Sequence, residues 1–115
     1  MFELRHLDTR TMEFVQDARF PEISIKLLES RATHPTISVM IARVAVGGDI
    51  PRHTHPVETE TAYVLSGQGK LITDTADYTF DAGIALSIPP GLAHRVVNTG
   101  DIPLEIFAIH SPATR

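Results

Sequence analysis

The chain has 115 residues, 43% of them hydrophobic, and carries 10 Lys and Arg against 14 Asp and Glu for a net charge of -4. That is enough for one domain, residues 1–115, burying about two-thirds of its extended-chain surface, and an acidic balance without any basic run speaks against nucleic acid as a partner. Cysteine is absent, so disulfides and thiolates are excluded and any bound metal must be held by nitrogen and oxygen, which suits Fe(II), Mn(II), Ni(II) or Zn(II).

In chain order, the N-terminal MFELRHLDTR carries charges where a signal peptide would be apolar, and no run approaches eighteen apolar residues; a cytoplasmic protein with no membrane partner is expected. Phe2 to Leu7 reads as a strand and Asp8 to Arg10 as a turn. Residues 11–22 are compatible with a short helix capped at Thr11 and stopped by Pro21, although their apolar spacing is poor. Ile23 to Leu27 alternates apolar and polar, the pattern of a half-buried strand. After the His34-Pro35 loop, Thr36 to Val46 is a β-branched run apolar on both faces, which belongs inside a sandwich or under a subunit contact.

The next stretch, GGDIPRHTHPVETETAYVLSG from Gly47 to Gly67, packs His53, His55, Glu58 and Glu60 into eight positions. Imidazole nitrogen and carboxylate oxygen are donors that divalent transition metals accept. In extended chain, side chains at i and i+2 share a face, so His53 and His55 can reach one ion. Glu60 has the opposite parity and must be re-aimed by a turn or bulge, for which Pro56 supplies a break in strand pairing.

Beyond it, Thr61 to Leu65 reads as a strand and Lys70 to Thr73 pairs back on it as a hairpin through the Ser66–Gly69 turn. Tyr78 to Phe80, Ala85 to Ile88, His94 to Asn98 and Leu104 to Ile109 are further strands separated by turns, including Pro89-Pro90-Gly91. Turn signals every eight to twelve residues or so indicate an all-β sandwich or barrel. His94, after the Pro-Pro-Gly turn, brings a third imidazole from a separate strand.

Two segments now match a known pattern. The first reads Gly47, five residues, His53-x-His55, four residues, Glu60, six residues, Gly67; the second reads Gly83, five residues, Pro89-x-Gly91, two residues, His94, three residues, Asn98. Together these resemble the two signature motifs of the cupin superfamily, with every fixed position filled. At background residue frequencies the first alone would arise roughly once in ten million starts. The short spacer, residues 68–82, is similar to that of small single-domain bacterial members.

The resemblance implies an antiparallel jelly-roll barrel, the double-stranded β-helix of cupins, with an N-terminal strand arm over residues 1–30 or so. It also implies one divalent metal ion per chain (Fe, Mn, Ni or Zn), with His53, His55, Glu60 and His94 as ligands. Outside the ligand set, Glu58 is expected to be solvated or to accept a histidine N–H, and Glu58 and Tyr63 are the only candidates for an acid or base. His6, His34 and His110 read as ordinary surface or terminal residues, and Arg52 and Arg95 as pointing away from the cavity.

A ligand set of this kind leaves coordination positions for a small-molecule substrate. The expected function is a metal-dependent oxidoreductase of dioxygenase type acting on a small chelating organic acid or enediol. A redox-neutral isomerase, lyase or cyclase on a sugar-acid or keto-acid, and a binding module without turnover, are the alternatives, because fold does not choose among them. Surplus apolar strand in Thr36–Val46 and Leu104–Ile109 suggests a homodimer, with residues 2–7 and 23–29 as the segments that meet the second copy.

Overall fold

The computed structural model describes residues 2–115. A 3-10 turn, Thr9–Thr11, is capped by Asp8, whose carboxylate accepts the Arg10 N–H at 3.0 Å. The strands that follow are β1 (Val15–Gln16), β2 (Ile23–Glu29), β3 (Ser38–Val44), β4 (Asp49–His53) and β5 (Thr59–Ser66). They continue with β6 (Gly69–Thr73), β7 (Asp77–Thr79), β8 (Ala85–Ile88), β9 (His94–Asn98) and β10 (Leu104–Ser111). Every pairing is antiparallel, in a six-stranded sheet of order β1-β2-β3-β10-β5-β8 and a four-stranded sheet of order β4-β9-β6-β7. This is the all-β, jelly-roll arrangement expected from the motifs.

Between the sheets lies the core. Alternation along β10 sends Leu104, Ile106 and Ala108 inward, where they meet Val44, Val64, Leu71, Phe80 and Val96. Val44, Val64 and Leu104 are fully buried, each contributing about 1.5–3 kcal/mol relative to exposure. At one end of the barrel Ile23, Ile25 and Ala42 form a smaller cluster with Phe20, Met40 and Ile50, and this cluster walls the cavity described below.

Two expectations are corrected. Phe2 to Leu7 forms no strand, because β1 already takes the edge beside β2. The N-terminal segment instead crosses the outer face of the six-stranded sheet and is held by side chains. Met12 and Phe14 pack on Leu28, Val39 and Ile41, Lys26 and Arg43 stand over the Phe14 ring, and Arg5 bonds the Leu28 carbonyl and pairs with Glu29. Part of the surplus apolar face of β3 is thus covered by this chain's own residues. The expected hairpin between Thr61–Leu65 and Lys70–Thr73 is also absent: β5 pairs with β10 and β8, whereas β6 pairs with β9 and β7. Residues 66–68 carry the chain from one sheet to the other. Gly67 makes that crossing with φ +94°, and a Cβ there would sit 2.7 Å from the Pro103 carbonyl oxygen, so both backbone angle and space require glycine.

No helix among the described residues is long and apolar enough to cross a membrane.

Candidate metal centre

His53 ends β4, and His55 follows in the irregular turn that leads to β5. Ile50 and His53 both line the cavity although strict alternation would put residues three apart on opposite faces. The β4–β9 register shifts between them, and that irregularity turns His53 inward. Glu60 is re-aimed as its parity demanded: the turn at residues 54–58 carries the chain out of the four-stranded sheet, so Glu60 approaches on β5 from the opposite one. His94 opens β9 directly across from His53. The Pro-Pro-Gly turn before it is tied to the first motif by the Gly91 N–H, which donates to the His55 carbonyl at 2.8 Å. Gly91 has φ +82°, a conformation that side chains disfavour.

These elements bring one donor atom each from His53, His55, Glu60 and His94 within 4.8 Å of one another. Two donors held by one ion at about 2.1 Å lie at most roughly 4.2 Å apart, so binding would draw the most widely separated of these atoms together by about half an ångström or more. The imidazoles are oriented for the task. His53 Nδ1–H donates to the Pro51 carbonyl at 2.8 Å and His94 Nδ1–H to the Leu92 carbonyl at 2.9 Å. Each Nε2 is left as a lone pair aimed into the cluster. His94 is 1% exposed, and its Nε2 is buried with no hydrogen-bond partner among the described residues. An orphaned buried acceptor costs about 1–3 kcal/mol, and a metal ion is the partner it fits.

Electrostatics agree. Burial pushes the His53 imidazole below its usual value, with the neighbouring histidines adding to the effect, so it stays neutral and able to ligate. Burial alone would push the Glu60 carboxyl up. Hydrogen bonds from His110 and His55 outweigh that and hold it well below the ordinary carboxylate range. Three neutral imidazoles and one carboxylate leave a divalent ion with a charge of about +1.

The cluster forms one wall of a cavity of about 370 Å³. Ile23, Ile25, Met40, Ala42, Ile50 and Val96 supply the apolar walls. Its rim is built from the turn at residues 17–20 and the C-terminal residues Thr114 and Arg115. Buried Asp17 organises this rim: it accepts the Arg19 and Phe20 N–H groups at 3.2 and 3.0 Å and pairs with Arg115 at 3.0 Å.

The other residues singled out in the sequence lie elsewhere. Tyr63 is 46% exposed, on the opposite face of β5 from buried Ala62 and Val64, and does not reach the cavity. Glu58 sits in the turn before β5 with its carboxylate 3.4 Å from the Val57 N–H; the acceptors of the His53 and His94 N–H groups are main-chain carbonyls, not Glu58. Arg52 pairs with Asp74 and Arg95 with Asp49, both outside the cavity as expected. Asn98 bonds backbone at its strand end, its amide donating to the Val44, Ala45 and Ile102 carbonyls.

His110 is the correction. Read from sequence as a surface or terminal residue, it is 3% exposed and lines the cavity, with Nε2 3.0 Å from Glu60 Oε1. The signal was present in the strand: inward Leu104, Ile106 and Ala108 continue by parity to His110. The rim residues Asp17, Phe20 and Arg115 were also missed, since chain segments distant in sequence and without a motif form that rim.

Comparison with known proteins agrees with this geometry. The cupin domain family model matches residues 40–110. An uncharacterized protein of Methanocaldococcus jannaschii is 32% identical over 85 residues, 69% of this chain and 68% of that protein. The auxin-binding protein ABP20 of Prunus persica is 36% identical over 68% of this chain, which spans 40% of its length. Among solved structures, that of a predicted oxalate decarboxylase from Thermotoga maritima superposes with a TM-score of 0.84 at 21% identity, covering 94% of this chain and 99% of that one. With the family match spanning more than half of the chain and including all four residues that converge on the cavity, this protein belongs to the cupin family.

Proposed function

We propose that the protein is a metal-dependent oxidoreductase of dioxygenase type acting on a small chelating organic acid or enediol. The observation that carries this reading is the oriented donor cluster His53, His55, Glu60 and His94 on the wall of a cavity lined largely by aliphatic side chains. A divalent ion bound there would supply Lewis acidity and, as Fe(II), the capacity to engage O₂. The chain's own residues do the rest. The apolar walls exclude water from an aliphatic substrate body. Two guanidinium groups, Arg19 and Arg115, stand at the rim. Arg115 shares its charge with Asp17, whereas Arg19 has no carboxylate within ion-pair reach among the described residues, which favours an anionic substrate.

A redox-neutral reaction needs an acid or base beyond the ligands. The imidazole in the cavity outside the ligand set, His110, has its Nε2 engaged by Glu60, and this tips the balance toward oxygen chemistry. The test is oxygen uptake by protein loaded anaerobically with Fe(II), over a panel of keto- and hydroxy-acids. Uptake that requires substrate supports the proposal. Substrate turnover without uptake moves the assignment to the isomerase or lyase class, and ligand binding without turnover moves it to a binding module.

A further inference from the structure

Of the residues that converge on the metal cluster, Glu60 alone comes from the six-stranded sheet, and its own anchoring falls to one neighbour. His110 is its directly opposed cross-strand partner on β10. That strand is paired on both sides, with β3 and with β5, so the His110 backbone is fixed. A carboxylate only accepts hydrogen bonds, so His110 must donate, which fixes its tautomer as Nε2–H. His110 is not within the four-residue donor cluster; it touches two of its members, Glu60 through this hydrogen bond and His55 through an edge-on ring contact with centroids 5.0 Å apart.

The same oxygen, Glu60 Oε1, is also approached by His55 Nε2 at 3.2 Å. When His55 uses that nitrogen as a ligand it carries no proton there, and the bond to Glu60 is given up. His110 is then the remaining side-chain donor to Glu60 among the described residues. Without it, a carboxylate 15% exposed would keep an oxygen with no hydrogen-bond partner.

We infer that His110 is a positioning residue of the metal centre, holding Glu60 in its ligating orientation by an Nε2–H to Oε1 hydrogen bond. This inference rests on the metal-binding reading proposed above. Partners of this kind typically set metal affinity by 10–100-fold.

The experiment titrates Co(II) into metal-free protein against a competing chelator, with the visible band of the bound ion as a second readout. His110→Phe, which keeps the ring and removes the donor, should weaken Co(II) binding about 10–100-fold. His110→Gln, whose amide can donate from a similar position, should stay within about threefold of wild type, on the scale of that same effect. In a Glu60→Ala background, His110→Phe should have no further effect, because the hydrogen-bond acceptor is gone and Phe keeps a ring against His55. His110→Leu serves as a second donor-less variant should the Phe variant not fold. Wild-type affinity in both donor-less variants overturns the inference. So does a Gln variant as weak as Phe, or a full effect of His110→Phe without Glu60. Wild-type protein that binds no Co(II) overturns the metal reading itself.

Discussion

His94→Leu separates what the centre costs the fold from what it gains from an ion. The substitution removes the hydrogen bond from Nδ1 to the Leu92 carbonyl, a loss of about 1 kcal/mol. Leu92 is exposed, so its carbonyl can turn to water. It also removes the buried Nε2 that has no partner, a gain of about 1–3 kcal/mol. Metal-free, the variant should therefore be as stable as wild type or up to about 2 kcal/mol more stable, which is a Tm rise of up to about 8 °C at about 4 °C per kcal/mol. With a divalent ion at a hundred times its Kd, wild type gains about 2.7 kcal/mol and the variant should gain nothing, so the order of stabilities inverts. Far-UV circular dichroism melts of both proteins with and without Zn(II) read this out; the chain has no Trp, so intrinsic fluorescence offers little. A metal-free variant destabilised by more than about 1 kcal/mol, on the same hydrogen-bond scale, would mean that His94 is an ordinary core residue. An undiminished ion-induced shift in the variant would show that it ligates nothing.

Three further outcomes are expected. Folded Glu60 and His53 both have lowered pKa values, from starting points of 4.5 and 6.5. Stability of the metal-free protein is thus held above those values and lost as pH falls, first through the His53 window and then below the ordinary Glu range. Glu60→Gln should flatten the lower limb of stability against pH in urea titrations, and an unchanged limb would remove Glu60 as its source. Phe80→Ala, at a side chain 1% exposed in the main core, should cost about 3–5 kcal/mol in the same titrations, and a loss below about 1 kcal/mol would mean that the two sheets collapse onto the gap. Tyr63 and Leu65 remain 46% and 47% exposed beside the face that the N-terminal segment covers. We propose that this remainder packs on a second copy, so light scattering should find a dimer that Tyr63→Glu with Leu65→Glu converts to monomer; a monomeric wild type would refute it.

Local chemistry made much of the molecule legible in the sequence. Alternation located β2, a β-branched run located β3, and apolar runs between turn signals located β8, β9 and β10 to within a few residues, while the motif spacing named the four residues that the fold brings together. What escaped was set by long-range partners. Nothing local tells Lys70–Thr73 that its ladder lies with β9 rather than with the strand just before it. Phe2–Leu7 has strand composition, but the sheet edge it would need is occupied by β1. His110 lacked a motif, and only the register of β10 against β5 sets it opposite Glu60.

The carbonyls of Pro51 and Leu92 that steer His53 and His94 belong to the polypeptide itself, two residues upstream in each case. No point mutation elsewhere can delete them. Substitution of Ile23 or Met40 on the cavity wall leaves both of those carbonyls in place. The side chains that shape the cavity and the main-chain atoms that aim the two rings are thus separate sets, and the first can change while the second stays.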